Sequence, residues 1–211
     1  MMLLGLWQAL GFLAAAMLVT LSPGPDNLMV LGLGMSRGRR QGMVFGLGCA
    51  LGCLNHTLLA VLGISALIAA SDWAFLGLKL CGGIYLLWLG VQALRSQGGV
   101  APTAGEMARA EPLWPLFLRG LVANAINPKV VLFFLAFLPQ FIDAGRGDVA
   151  WQTAQLGVIF TLQGMVLFGA IGYFSGWLGQ GLARSSGAGR WLDRLAGGVF
   201  IGLGVKLIAS P

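Results

Sequence analysis

Charged side chains are scarce in this sequence. Lys and Arg number 13 and Asp and Glu 7 among 211 residues, 9% in all, beside a hydrophobic share of 57%. A soluble domain uses about 25% charged residues to cover its surface, so most of the outer surface here must face lipid. Histidine occurs once, at His56, and a single imidazole builds no usual metal centre. The three cysteines, Cys49, Cys53 and Cys81, all lie inside apolar runs. They imply no disulfide framework and are read as small packing residues, with Cys49 and Cys53 on one helix face. No Walker A pattern is present, so ATP does not drive this chain directly. HExxH and GxSxG are absent as well. No enzyme, metal or cofactor is therefore expected. No span carries a row of basic residues, which excludes a voltage sensor.

The formal net charge of +6 would hint at nucleic acid in a soluble protein. In a membrane chain the basic residues gather in short loops on one side, so no nucleic-acid partner is expected. The N-terminus is apolar but lacks the basic start of a cleaved signal, and its apolar run continues too long for one. It is read as part of the first span.

Six apolar runs are long enough to span a bilayer at ~20 residues each. They are Leu3–Met35, Gly42–Ala70, Trp73–Leu94, Leu113–Ile142, Val149–Leu182 and Trp191–Ile208. The sequence thus predicts an all-α membrane protein forming a single transporter domain over residues 1–211. Its longest connector, rich in Gly, Pro and Ala, divides repeat one (1–95) from repeat two (113–211) through a loop at 96–112. Alternate connectors carry Arg37, Arg39 and Arg40, then Arg95, Arg109 and Arg119, then Arg184, Arg190 and Arg194. The opposite side has Arg146, with Lys79 and Lys206 within snorkelling reach. That asymmetry places the first set in the cytoplasm and both termini outside it. Trp7, Trp73, Trp114, Trp151, Trp177 and Trp191 fall near span ends, where an interfacial aromatic belt belongs; Trp88 does not.

The halves resemble each other. LKLCGGIYLLWLGV at 78–91 is echoed by DRLAGGVFIGLGV at 193–205, with one gap. Spans one and four match too, since Gly24-Pro25-Asp26 answers Asn127-Pro128-Lys129. Two repeats of three spans must be inverted in the membrane. Inverted repeats with broken helices are a transporter architecture, with the site near the midplane.

The breaks carry the chemistry. Asp26 lies eleven residues before Arg37, ~16 Å along a helix, and so near the middle of a ~30 Å hydrocarbon core. Lys129, ten residues after Arg119, is equally deep. Charges there cost at least ~2.5–3.5 kcal/mol each, and most are functional. Either the two form a structural ion pair, or they belong to a transport site. A half-helix that begins at Pro25 or Pro128 aims free N–H groups inward and attracts a carboxylate. A zwitterion would suit the arrangement. Its carboxylate would meet a helix N-terminus and Lys129, and its ammonium would meet Asp26 and carbonyls freed by the break. Gly24 and the prolines shape the break, and Asn27, Asn124 and Asn127 would add neutral hydrogen bonds. His56, also mid-span, is either a proton relay to Asp26 or a neutral imidazole satisfied by a neighbouring helix. Gln163 is read as glue between helices.

These motifs resemble a known family. SPGPDN at 22–27 and NPKVVLFFLAFLPQF at 127–141 resemble the LysE/RhtB superfamily of bacterial amino-acid exporters. LKLCGGIYLLWLG at 78–90 is similar to its third-span motif, and the Gly-rich second span with His56 fits as well. The resemblance covers nearly the whole chain. It implies a six-helix exporter of the bacterial inner membrane, driven by the proton gradient, for amino acids and derivatives such as homoserine, threonine, lysine and leucine. Its signature positions fall on Gly24, Pro25, Asp26, Asn127, Pro128 and Lys129. The alternatives left open are a carrier of another small solute or cation and a non-transporting scaffold subunit. Membrane lipid is the expected surroundings, and a homo-oligomer is left open.

Overall fold

The computed structural model describes residues 4–22, 24–70, 72–95, 110–177 and 186–209. Pro23, Arg109, Arg184 and most of the 96–112 connector lie outside the described residues, as does the side chain of Lys79. Every regular element among the described residues is helical: α1 (Leu6–Leu21), α2 (Pro25–Arg37), α3 (Arg39–Ala70), α4 (Asp72–Arg95), α5 (Leu113–Ala125), α6 (Pro128–Leu132), α7 (Val149–Tyr173) and α8 (Ser186–Ala209). A wide π-type turn, Phe133–Phe137, and a tight 3₁₀ turn, Leu138–Phe141, prolong α6.

The predicted breaks are present. α1 and α2 meet at 58°, and α5 meets the α6 segment at 48°. Gly24 is extended, with φ −168° and ψ 173°, and Pro25 opens α2. Pro128 opens α6 in the same way. Proline has no N–H to lose at that position, and its fixed φ suits a helix start. Asn127 completes the second start by accepting the Lys129 N–H on its Oδ1 at 3.0 Å, an N-cap. Only Gly38 separates α2 from α3, at φ +94°, a backbone conformation that side chains resist.

Two helices, α3 over Arg39–Gly63 and the whole of α7, are each long and apolar enough to cross a membrane. The two bent pairs also pass when each is taken as one span. Their outer faces agree with that. Leu54, Leu58 and Leu62 on α3, and Val158, Leu162 and Val166 on α7, are exposed. Their spacing makes apolar stripes of a kind that soluble monomers do not leave bare. The chain is a multi-pass membrane protein.

Close backbone contact fixes the helix pairing. α3 and α7 run antiparallel in steps of four residues. A Cβ added to Gly172 would lie 2.7 Å from the Gly42 carbonyl carbon. One on Gly46 would lie 2.9 Å from the Phe168 Cβ, and one on Gly164 would lie 3.6 Å from the Ala50 Cβ. α4 and α8 are also antiparallel, with reciprocal contacts. A Cβ on Gly204 would lie 2.9 Å from Gly83 O, and one on Gly197 would lie 2.8 Å from Gly90 O. Lipid gives no hydrophobic drive to helix association, so small residues that let backbones approach supply the packing.

The remaining neighbours are parallel. Gln8 bonds Gln152, and Thr20 bonds Gln163, which runs α1 alongside α7. Gly52 packs on Asn124, and Gly120 packs on Cys49, which runs α3 alongside α5. An aromatic cluster joins α1, the α6 extension and α7, with Phe133 5.8 Å from Phe12 and 5.1 Å from Phe160 between ring centroids. Phe12, Phe133, Phe134 and Phe137 are fully buried beside the breaks.

Candidate functional site

A proline at one position frees the carbonyl four residues earlier, because it has no N–H to donate. Pro23 and Pro128 therefore leave Val19 O and Asn124 O without the usual helical donor; Ser22 Oγ donates to the first and the Asn127 N–H to the second, each at 2.9 Å. Both carbonyls lie at the C-terminal end of a half-helix, where the dipole is negative. Each is met by a donor from elsewhere in the chain. Lys129 Nζ donates to Val19 O at 3.1 Å and Ser22 O at 3.0 Å, with Ser22 Oγ at 3.4 Å. His56 Nε2 lies 3.1 Å from Asn124 O. A carbonyl only accepts, so Nε2 carries the proton and Nδ1 is left as the acceptor.

Asp26 and Lys129 do not bond to each other. The ion pairs among the described residues are Arg37–Glu111 and Arg119–Glu111. Asp26 instead accepts from Asn124 Nδ2 on its Oδ2 at 2.8 Å, and Asn124 Oδ1 takes the Cys53 thiol at 3.4 Å. The pattern is reciprocal. Each charged residue sits just after the proline that opens the second half of its own span. Each reaches across to the end of the first half of the other.

Both line one small cavity of about 10 Å³. Thr20, Asn27 and Asn124 supply further polar walls, and Val19, Val130, Phe160 and Phe168 supply the apolar ones. That volume holds about one water and is too small for an amino acid. Asn27 Nδ2 donates to Thr20 O at 2.7 Å, while its Oδ1 is buried with no partner. Gln163 bonds Thr20 Oγ1 at 2.9 Å, as interhelical glue should, and its Oε1 is likewise unpaired. Buried polar atoms without partners are rare, and two of them flank this cavity at Thr20.

The structure brings Asp26, Asn27, Asn124 and Lys129 together around this cavity. Gly24 borders it through Lys129, since a Cβ there would lie 2.7 Å from Lys129 Nζ. Pro25 and Pro128 shape the breaks from exposed positions. Asn127 caps α6 and does not line the cavity; its Nδ2 is buried and unpaired. His56 is one residue removed, resting against the Phe134 ring at 5.7 Å and reaching Asp26 only through Asn124. Sequence reasoning missed Val19, Thr20 and Ser22 as polar partners. Counting four residues back from each proline would have found Val19.

Polar contacts also tie the two ends of the bundle. At one end Glu111 accepts from Arg37 and from Arg119. Its backbone and the Gln41 side chain exchange two hydrogen bonds, at 2.9 and 3.2 Å. The Arg37 hydrogen bond first, then that of Arg119, holds the Glu111 carboxyl below its ordinary value against the opposing effect of burial. At the other end Gln8 donates to Phe141 O and to Gln152. Gln152 in turn binds the backbone N–H and carbonyl of Asp143.

A family model described as LysE type translocator matches residues 17–210. An uncharacterized membrane protein of Vibrio cholerae is 33% identical over 205 residues, covering 95% of this chain and 96% of that protein. The threonine efflux protein of Escherichia coli K12 is 30% identical, over 94% of this chain and 98% of its own length. The leucine efflux protein of Enterobacter sp. strain 638 is 27% identical, over 93% and 92%. No solved structure matches the chain.

Proposed function

We propose that this chain, which belongs to the LysE type translocator family, is an efflux carrier for amino acids or their close derivatives. Such translocators move solutes and are not enzymes. The observation that carries this function is the small cavity between two broken spans, walled by a buried acid and a buried base that do not pair. A scaffold would need the two charges only as an ion pair, whereas each has its own separate partner. A zwitterion presents one group for each charge. Asp26, with the carbonyls of the first break, suits the ammonium. Lys129, with a helix N-terminus, suits the carboxylate. Asn27 and Asn124 complete the lining, and Gly24, Pro25, Asn127 and Pro128 hold the breaks that form the binding site.

Six spans in two inverted repeats, 1–95 and 113–211, with the 96–112 loop between them, are the architecture we propose. α1 with α2, α3 and α4 form the first repeat, and α5 with α6, α7 and α8 form the second. An inverted repeat requires spans two and five, and spans three and six, to be antiparallel. It requires span one to be parallel to five, and span two to four. The helix directions agree with all of these. The Arg37–Glu111–Arg119 end would face the cytoplasm by the positive-inside rule, placing both termini outside a bacterial inner membrane. Alternating access would open the cavity to one end at a time. A proton returning down its gradient would neutralise Asp26, directly or by way of His56.

Cells preloaded with mixed labelled amino acids test this. The wild type should eject one or a few of them, and Asp26→Asn should not. Identical profiles for every amino acid would refute the assignment.

A further inference from the structure

The ammonium of Lys129 fills a seat built for a cation. Val19 O, Ser22 O and Ser22 Oγ surround it at 3.0–3.4 Å, and both residues are buried. Val19 O lacks its helical donor because of Pro23 and Ser22 O because α1 ends there, and both stand at the negative end of α1. Unwound carbonyls of this kind are where carriers coordinate cationic cargo or coupling ions. The cargo ammonium proposed above needs the same oxygens, on the same cavity wall. Two cations cannot occupy one seat, so Lys129 must leave when cargo arrives.

We propose that Lys129 is the empty carrier's own stand-in for cargo: its ammonium holds the carbonyl seat at the first break until the α-ammonium of the cargo displaces it. This rests on the amino-acid efflux function proposed above. Without a cation, Val19 O would keep only the Ser22 hydroxyl, at 2.9 Å, and Ser22 O would lose the ammonium, which is unfavourable in a membrane interior. With Lys129 seated, the empty carrier can close and return without cargo. Once displaced, the same ammonium is free to meet the cargo carboxylate, since the two ends of an α-amino acid are adjacent. Gly24 makes the seated position available, because a Cβ there would lie 2.7 Å from Nζ and 3.2 Å from Cε. The far end of a lysine moves easily, so a methyl at Gly24 would shift the ammonium rather than break the fold.

Two rates in proteoliposomes separate this role from plain cargo binding. Exchange, with the same unlabelled amino acid outside, carries cargo in both directions. Net efflux into amino-acid-free buffer needs the empty carrier to return. Lys129→Gln is expected to slow exchange, since Lys129 also meets the cargo carboxylate, and to slow net efflux further, lowering the ratio of net efflux to exchange at least tenfold. Gly24→Ala should lower the same ratio while keeping the lysine, and it decides the matter where Lys129→Gln fails to reach the membrane. A ratio unchanged in both variants, the two rates falling together, overturns the proposal and leaves Lys129 a contact of cargo alone. A wild type that neither exchanges nor exports any amino acid refutes the efflux function itself, and this proposal with it.

Discussion

Asn124 joins the two broken spans, donating its Nδ2 to Asp26 Oδ2 at 2.8 Å from 98 positions along the chain. The Asp26 side chain is buried, and a hydrogen bond to a charged group is worth about 1.5–3 kcal/mol. Asn124→Leu keeps the volume and removes that donor. Initial export rates, compared at matched membrane levels, should fall at least tenfold. Asn124→Asp should be as damaging, because it replaces the amide donor with a second acceptor beside the Asp26 carboxyl. Wild-type rates in Asn124→Leu would remove this bond from the working site.

His56 shares Asn124 O with the Asn127 N–H, so its relay role has to be separated from a capping role. His56→Gln keeps an N–H that can cap Asn124 O but carries no titrating ring. Net export driven by an imposed pH gradient should fall at least tenfold in His56→Gln, while exchange of amino acids across the membrane continues. Full gradient-driven export in that variant would reduce His56 to a cap. His56→Leu, which leaves Asn124 O only the Asn127 N–H and removes a buried polar contact, should in addition lower the yield of assembled protein.

The breaks at Gly24–Pro25 and Asn127–Pro128 were legible in the sequence, because proline forbids a regular helix. Helix rise and the flanking arginines put Asp26 and Lys129 at mid-span, and both side chains are buried. Their partners were not legible. Whether Lys129 meets Asp26 or Val19 O depends on how α1 and α5 cross, and hydrophobic periodicity does not encode that crossing. Nor did any sequence signal announce Glu111, which works through Arg37 from the far side of a long connector. Phe160 and Phe168 are ordinary apolar residues of a span until α7 is packed, and only then do they wall the cavity. The glycine motifs at 82–90 and 197–204 were visible as a repeat. What the structure added is that Gly83 meets Gly204 and Gly90 meets Gly197.

Those two glycine contacts predict a stability effect separate from transport chemistry. A Cβ on Gly204 would lie 2.9 Å from Gly83 O, and one on Gly90 would lie 2.9 Å from Gly197 O. Backbone cannot step aside as a lysine tip can. Gly90→Leu or Gly204→Leu should force α4 and α8 apart and destabilise the protein by about 1–3 kcal/mol, as overpacking does. Gly202→Leu, with open space around the added Cβ, is the control and should change little. Thermal unfolding of detergent-purified protein measures all three. Equal losses at Gly202 and Gly204 would rule out the paired contacts as the cause.

The cluster around Glu111 predicts a pH dependence whose sign is fixed. Its carboxyl is held below the ordinary value chiefly by the Arg37 hydrogen bond, with Arg119 assisting. A depressed folded value means the ionised form is the one that favours the folded state. The contribution is therefore complete above the ordinary carboxylate range and is lost as pH falls through the depressed value. Glu111→Gln, which cannot ionise, should be less stable than wild type near neutral pH, and the two melting curves should converge as acid protonates the wild-type carboxyl. Exposed pairs are worth little and are screened by salt, so the gap should be small and should narrow further at high ionic strength. The same tie joins the end of α2, the start of α3 and the start of α5, which must separate if this end is to open. Loosening it should thus raise access of a small thiol reagent to a cysteine placed at Thr20, in a background free of the three native cysteines. A gap that persisted unchanged into acid would mean that Glu111 contributes through shape rather than charge.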